Sequence, residues 1–85
     1  MRGTDDWKDK AFQLRKSRSL AGLTVQEVGS KANLDRTTIS TYESRRKRPS
    51  AKALERWEAA VIELAWERMN DARAALNELG VGLPG

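Results

Sequence analysis

The sequence predicts an all-α domain, and three observations carry that expectation. Trp7, Ala11, Leu14, Arg18 and Ala21 recur at alternating spacings of four and three, which places them on one helical face. Residues 22–49 hold two short helix patterns joined by a tight turn, followed by the basic run Arg45-Arg46-Lys47-Arg48. Residues 51–79 then continue without a single Gly or Pro.

Thr4 is placed to cap a first helix, with Asp5 and Asp6 in the first turn, where the helix dipole favours anions. Gly22 ends that helix in the left-handed region. Thr24 and Glu27 have the spacing of a capping box and open a second helix, whose inner face continues through Val28 and Ala32. Gly29 is a poor helix former, so its place there implies close approach by another backbone. Asn33 tolerates the left-handed region and ends the second helix. Asp35 is an N-cap for a third, in which Ile39 and Tyr42 point inward and Arg36, Thr37, Ser40 and Thr41 lie on the other face. Short hydroxyl side chains are unfavourable in an isolated helix, but they let a helix lie close against a surface. Pro49 prevents simple helical continuation, and Ser50 caps the segment beyond it.

The final segment is unusually apolar. Leu54, Trp57, Val61, Leu64, Ala72, Ala75 and Leu79 form one stripe on a helical wheel, and Ile62, Trp66, Met69 and Leu76 form a second beside it. Together they span roughly 200°, against the ~100° that covers one core. The first stripe packs on the preceding helices around Leu54 to Leu64; the second finds no partner in so short a chain, and self-association is the expected reason. As one helix the segment would be about 43 Å long at ~1.5 Å per residue, with Asn70-Asp71 as its one plausible break.

Composition narrows the function classes. The chain of 85 residues is one small domain. It contains no Cys and no His, so disulfides, thiolate metal sites, the commonest general base and the commonest metal ligand are all missing. No enzyme, metal or cofactor is expected. No apolar run is long enough to span a membrane and residues 1–16 are too polar for a secretory signal, so a cytoplasmic protein is expected. Charge is uneven: residues 1–50 carry 12 Lys/Arg against 6 Asp/Glu, and residues 51–85 carry 4 against 6. A basic front and a mildly acidic back suit a polyanion on one side only.

These residues resemble the Cro/repressor-type (XRE-like) helix-turn-helix family from Leu14 to about Leu54. The landmarks are Leu14-Arg15 with Arg18, Gly22-Leu23-Thr24, Glu27-Val28-Gly29, Asn33-Leu34-Asp35, Thr37-Thr38-Ile39-Ser40, Tyr42-Glu43 and the basic loop ending at Pro49-Ser50. The resemblance implies a lambda-repressor-like bundle of four or five helices, here with an extended C-terminal helix. Residues 1–50 would hold its N-terminal part, with the helix-turn-helix motif at about 24–43. Residues 51–79 would complete the core and dimerise, and residues 80–85 would form a flexible tail.

It also implies roles. The recognition helix is Arg36 to Glu43, with Arg36, Thr37 and Thr41 facing base edges of double-stranded DNA. Thr24, Ser40, Arg45, Arg46, Lys47 and Arg48 are phosphate contacts, joined by backbone N–H groups at the helix starts Val25 and Arg36. Arg18 and Glu43 form a structural ion pair. Two positions depart from the family. Val25 stands where Gln is common, and Arg45 stands where Gly is common, so that either the turn differs or Ser44 takes the left-handed role. The expected function is a sequence-specific transcriptional regulator, a repressor, binding a palindromic operator as a homodimer. The alternative is a protein-interaction module, such as an antitoxin or complex subunit, that offers Ile62, Trp66, Met69 and Leu76 to a different protein.

Overall fold

The computed structural model describes residues 6–80. Thr4, Asp5 and residues 81–85 lie outside them, as does the cap expected at Thr4; of the two acidic residues expected in the first turn, Asp6 is there, followed by Asp9. The described residues form four helices and no strand: α1 Asp6–Leu20, α2 Val25–Ala32, α3 Arg36–Glu43 and α4 Ala51–Glu78. The final segment is therefore one helix, unbroken at Asn70-Asp71.

Each boundary has a local cause. After α1, the Gly22 N–H reaches the Ser19 carbonyl at 3.1 Å and the Leu23 N–H reaches the Arg18 carbonyl at 3.0 Å, with Gly22 at φ 72°. This is the Schellman pattern, which satisfies orphan carbonyls at the cost of one left-handed residue. It recurs after α2, where Asn33 sits at φ 59° and Leu34 donates to Gly29 at 2.8 Å. Thr24 and Glu27 close a full capping box at the start of α2. Ser50 caps α4 by accepting the Ala53 N–H at 3.1 Å. Asp35 occupies the N-cap position of α3 in extended conformation, but its side chain accepts no backbone N–H. Its carboxylate is exposed to water, and the turn around Gly29 already fixes the entry to α3.

The α2 and α3 helices pack on each other; α2 also packs on α4, and α1 packs across α3 and α4. Trp57, Ile39, Val28 and Val61 are the largest fully buried side chains. The Trp57 ring lies 5.5 Å from that of Tyr42, centroid to centroid. Its indole N–H meets no acceptor among the described residues, a desolvation cost of about 1–3 kcal/mol that the packing of the ring must offset. Ala11, Leu14, Leu23, Ala32 and Ala60 complete the buried cluster, with Leu54 and Leu64 packed at its edge.

Helix α4 outruns the others. Its 28 residues give about 42 Å against about 22 Å for the 15 of α1, at ~1.5 Å per residue. Beyond Met69 it leaves the bundle: Ala72, Ala75 and Leu79 are exposed although they continue the stripe that begins at Leu54. Ion pairs bind its near half down, from Lys10 to Glu58 at 2.9 Å and from Lys31 to Glu63 and Glu67 at 3.4 and 3.6 Å. The two carboxylates, Glu63 foremost, raise the Lys31 ammonium above its usual pKa.

Candidate nucleic-acid interface

The α3 helix buries Ile39, Tyr42 and Glu43 and turns its remaining residues outward. Arg36, Thr37 and Ser40 are exposed and Thr41 is half-buried. Only small side chains come after Arg36 on this face, so little holds the backbone of α3 away from a partner surface. The Thr41 hydroxyl donates to the Thr37 carbonyl at 2.8 Å, which commits its proton and leaves its methyl and lone pairs for recognition. The Ser44 hydroxyl likewise returns to the Thr41 carbonyl at 3.0 Å.

The loop that directly follows α3 carries four cations. Arg45, Arg46, Lys47 and Arg48 are all exposed. Their backbone is set by a third Schellman ending, with Arg45 donating to Tyr42 at 3.0 Å and Arg46 to Thr41 at 3.1 Å. Arg45 itself takes the left-handed position at φ 62°, while Ser44 remains right-handed. An L side chain there costs roughly 1–2 kcal/mol. Arg45→Gly is therefore expected to raise the melting temperature by about 4–8 °C while removing one cation from the loop. Thermal melts alongside salt titrations of binding measure the two effects, which run in opposite directions.

At the start of α2, the Thr24 hydroxyl accepts the Glu27 N–H at 3.0 Å and keeps its own proton to donate outward. The Glu27 carboxylate accepts the Thr24 N–H at 2.8 Å and an Arg68 N–H at 2.8 Å. The Thr24 N–H first, and then the Arg68 charge, hold its carboxyl below the usual pKa against the opposing effect of burial. Arg68 also donates to the Gly22 carbonyl at 3.3 Å, tying α4 to the turn that starts α2. The sequence carries no signal for this clamp, because its ends lie 46 and 41 residues apart. Val25 packs against the core edge. Gln26 and Ser30 instead line a hollow of about 300 Å³ with Leu34, Asp35 and Arg36 at the start of α3.

Beneath the interface, Arg18 joins α1 to the end of α3. Its guanidinium donates to Glu43 at 2.6 and 3.0 Å and to the Leu23 carbonyl at 2.7 Å. The pair is largely buried, with side-chain exposures of 18% for Arg18 and 7% for Glu43.

Residues 11–57 match the family model for the helix-turn-helix domain, more than half of the chain. The chain belongs to this helix-turn-helix family. The matched span ends at Trp57, within the first two turns of α4, and the buried core continues past it through Ala60 and Val61. No curated protein and no solved structure matches the chain. Among the described residues, no helix is long and apolar enough to cross a membrane.

Of the residues singled out from the sequence, Thr24, Arg36, Thr37, Ser40 and Arg45 to Arg48 are exposed at the α2 and α3 termini, on the outer face of α3 and in the adjoining loop. Ile62, Trp66, Met69 and Leu76 lie far along α4; the first three are exposed and Leu76 is half-buried.

Proposed function

We propose that this helix-turn-helix domain is a sequence-specific DNA-binding transcriptional regulator of the Cro/repressor type, acting as a repressor and binding a palindromic operator as a homodimer. The observation that carries this reading is the exposed Arg-Thr-Ser face of α3 beside an exposed run of four cations. In this reading α3 enters the major groove. Arg36, at its N-terminal end, forks onto guanine O6 and N7, and the Thr37 and Thr41 methyls meet thymine. Thr24, Ser40 and the loop cations hold phosphates and set the register. Two half-sites lie about one helical turn apart, ~34 Å. The reading assigns the chain no catalysis and no cofactor.

The test is selection of bound sequences from random duplex DNA, followed by binding measurements over a range of salt. Arg36→Ala is expected to cost about 1–3 kcal/mol and to relax preference at one position. Arg46→Ala should weaken all sequences alike and reduce the salt slope by about one. Binding indifferent to salt and to both substitutions would overturn the reading.

A second reading, a protein-interaction module such as an antitoxin or complex subunit, is favoured by Val25. That side chain packs at the core edge and offers no polar group to a phosphate at the start of α2. Recovery of one stoichiometric protein partner, together with salt-insensitive DNA binding, would select it.

A further inference from the structure

The far half of α4 carries a seam that the helix-turn-helix core does not use. Ile62, Ala65, Met69, Ala72, Leu76 and Leu79 alternate at spacings of three and four, the heptad repeat of a left-handed coiled coil. Large residues hold one heptad position (Ile62, Met69, Leu76). Alanines hold the other, until Leu79. The alanines leave depressions. A groove of about 380 Å³ opens at Ala65, walled by Gln13 and Ser17 of α1 and by Ile62, Trp66 and Met69 of α4. A second, of about 370 Å³, opens at Ala72 between Met69 and Leu76. Leu79 is 77% exposed and Trp66 58%.

We infer that the occupant of these grooves is the α4 tail of a second copy of this chain, running antiparallel. The inference rests on the homodimer of the preceding reading and specifies its interface. Size complementarity selects the direction. A parallel pair would set alanine against alanine and large against large, leaving voids between layers that hold the helices apart. An antiparallel pair sets Met69 and Leu76 against alanines. With the two-fold axis between Asn70 and Asp71, Leu76 of each chain enters the groove at the other's Ala65, and Met69 enters that at Ala72. Ile62 then meets Leu79, so all six layers are apolar.

Charge selects the same direction. Arg68 and Arg73 flank the seam on opposite sides. Parallel pairing in register would bring Arg73 of one chain toward Arg68 of the other, whose guanidinium Glu27 and the Gly22 carbonyl already hold, so Arg73 gains no partner there. Antiparallel pairing sets Arg73 beside Trp66 of the other chain, where a guanidinium over an indole face is attractive. The contact is isologous, so one arrangement fills both pairs of grooves and closes the dimer. It also gives packing to a helical tail that is otherwise surrounded by water, where so short a helix is marginal.

The test combines mass and directed cross-linking on the full chain. The sequence has no Cys, so introduced thiols are the only ones present. Ala65→Cys and Leu76→Cys are prepared as separate proteins and treated with a short bifunctional thiol reagent, singly and mixed. Cross-linked dimer is expected in the mixture and in neither protein alone. Light scattering is expected to give twice the chain mass for the unsubstituted protein and one chain mass for Trp66→Glu, with helical content of the core retained. Self-linking of Ala65→Cys would establish parallel pairing and overturn the inference, and so would a dimeric Trp66→Glu. A monomeric unsubstituted protein would overturn it too, while specific DNA binding by that monomer would leave the DNA reading standing. A dimer linked through 65 and 76 that binds no DNA would uphold the pairing and remove the DNA reading.

Discussion

Arg18→Met is expected to destabilise the domain by about 3 kcal/mol, the lower end of the range for breaking a buried ion pair. For a domain of this size that lowers the melting temperature by roughly 12–24 °C. The cause is what remains behind. The Glu43 carboxylate, 7% exposed, would lose both guanidinium bonds, and the Leu23 carbonyl would lose its bond to Arg18 as well. The lower end applies because the Arg18 side chain keeps 18% exposure, so water already supports part of its charge. The double substitution Arg18→Met, Glu43→Leu should recover much of the loss, because it leaves no charge unpaired. Thermal and urea unfolding of both single variants and the double variant give the coupling. Additive single effects would show that the two groups do not act as a pair.

Gly29→Ala is expected to cost about 2–3 kcal/mol, although helix propensity alone favours Ala there by about 1 kcal/mol. An added Cβ would stand 2.6 Å from the Leu34 carbonyl oxygen and 3.3 Å from the Arg36 nitrogen. Both are backbone atoms, and neither can swing aside as a long side chain would. Moving Leu34 also strains its 2.8 Å bond to the Gly29 carbonyl. The displaced segment is the start of α3, so Arg36 moves with it. DNA affinity should therefore fall further than the lost folded fraction accounts for. Urea unfolding gives the first quantity, and binding measured where the variant is fully folded gives the second. A variant as stable as the parent would mean that the α2–α3 approach is looser than 2.6 Å implies.

The parts legible in the sequence are those set within a few residues. The Thr24–Glu27 box, the Gly22 and Asn33 endings, the Ser50 cap and the crowding at Gly29 all have causes that lie beside them in the chain. Asp35 marks where reading by residue type stops short. The type and place suited a cap, yet its carboxylate accepts no backbone N–H. Arg45 is the reverse, a residue that disfavours the left-handed region yet occupies it. The hydrogen bonds that require it come from Arg45 and Arg46 to carbonyls of α3, and no side chain announces them. Most of the candidate interface was readable because its residues lie close together in the chain, from Arg36 to Arg48, with Thr24 marked separately by its capping box. The Arg68 clamp and the Lys31 bridges were not, because they join residues that only folding brings together. The reach of α4 was open for a related reason: one-dimensional periodicity cannot say where neighbouring helices stop.

The unbroken course of α4 links two surfaces through a single angular phase. Each inserted residue turns everything beyond it by ~100° relative to everything before it. Between Leu64 and Met69, a one-residue insertion would swing the distal stripe away from its present side of the molecule while leaving the core untouched. Two whole turns, about seven residues, would nearly restore it. Gains and losses of length in this stretch are thus filtered by angle rather than by size, and lineages carrying this domain should tolerate indels there chiefly in steps of about seven.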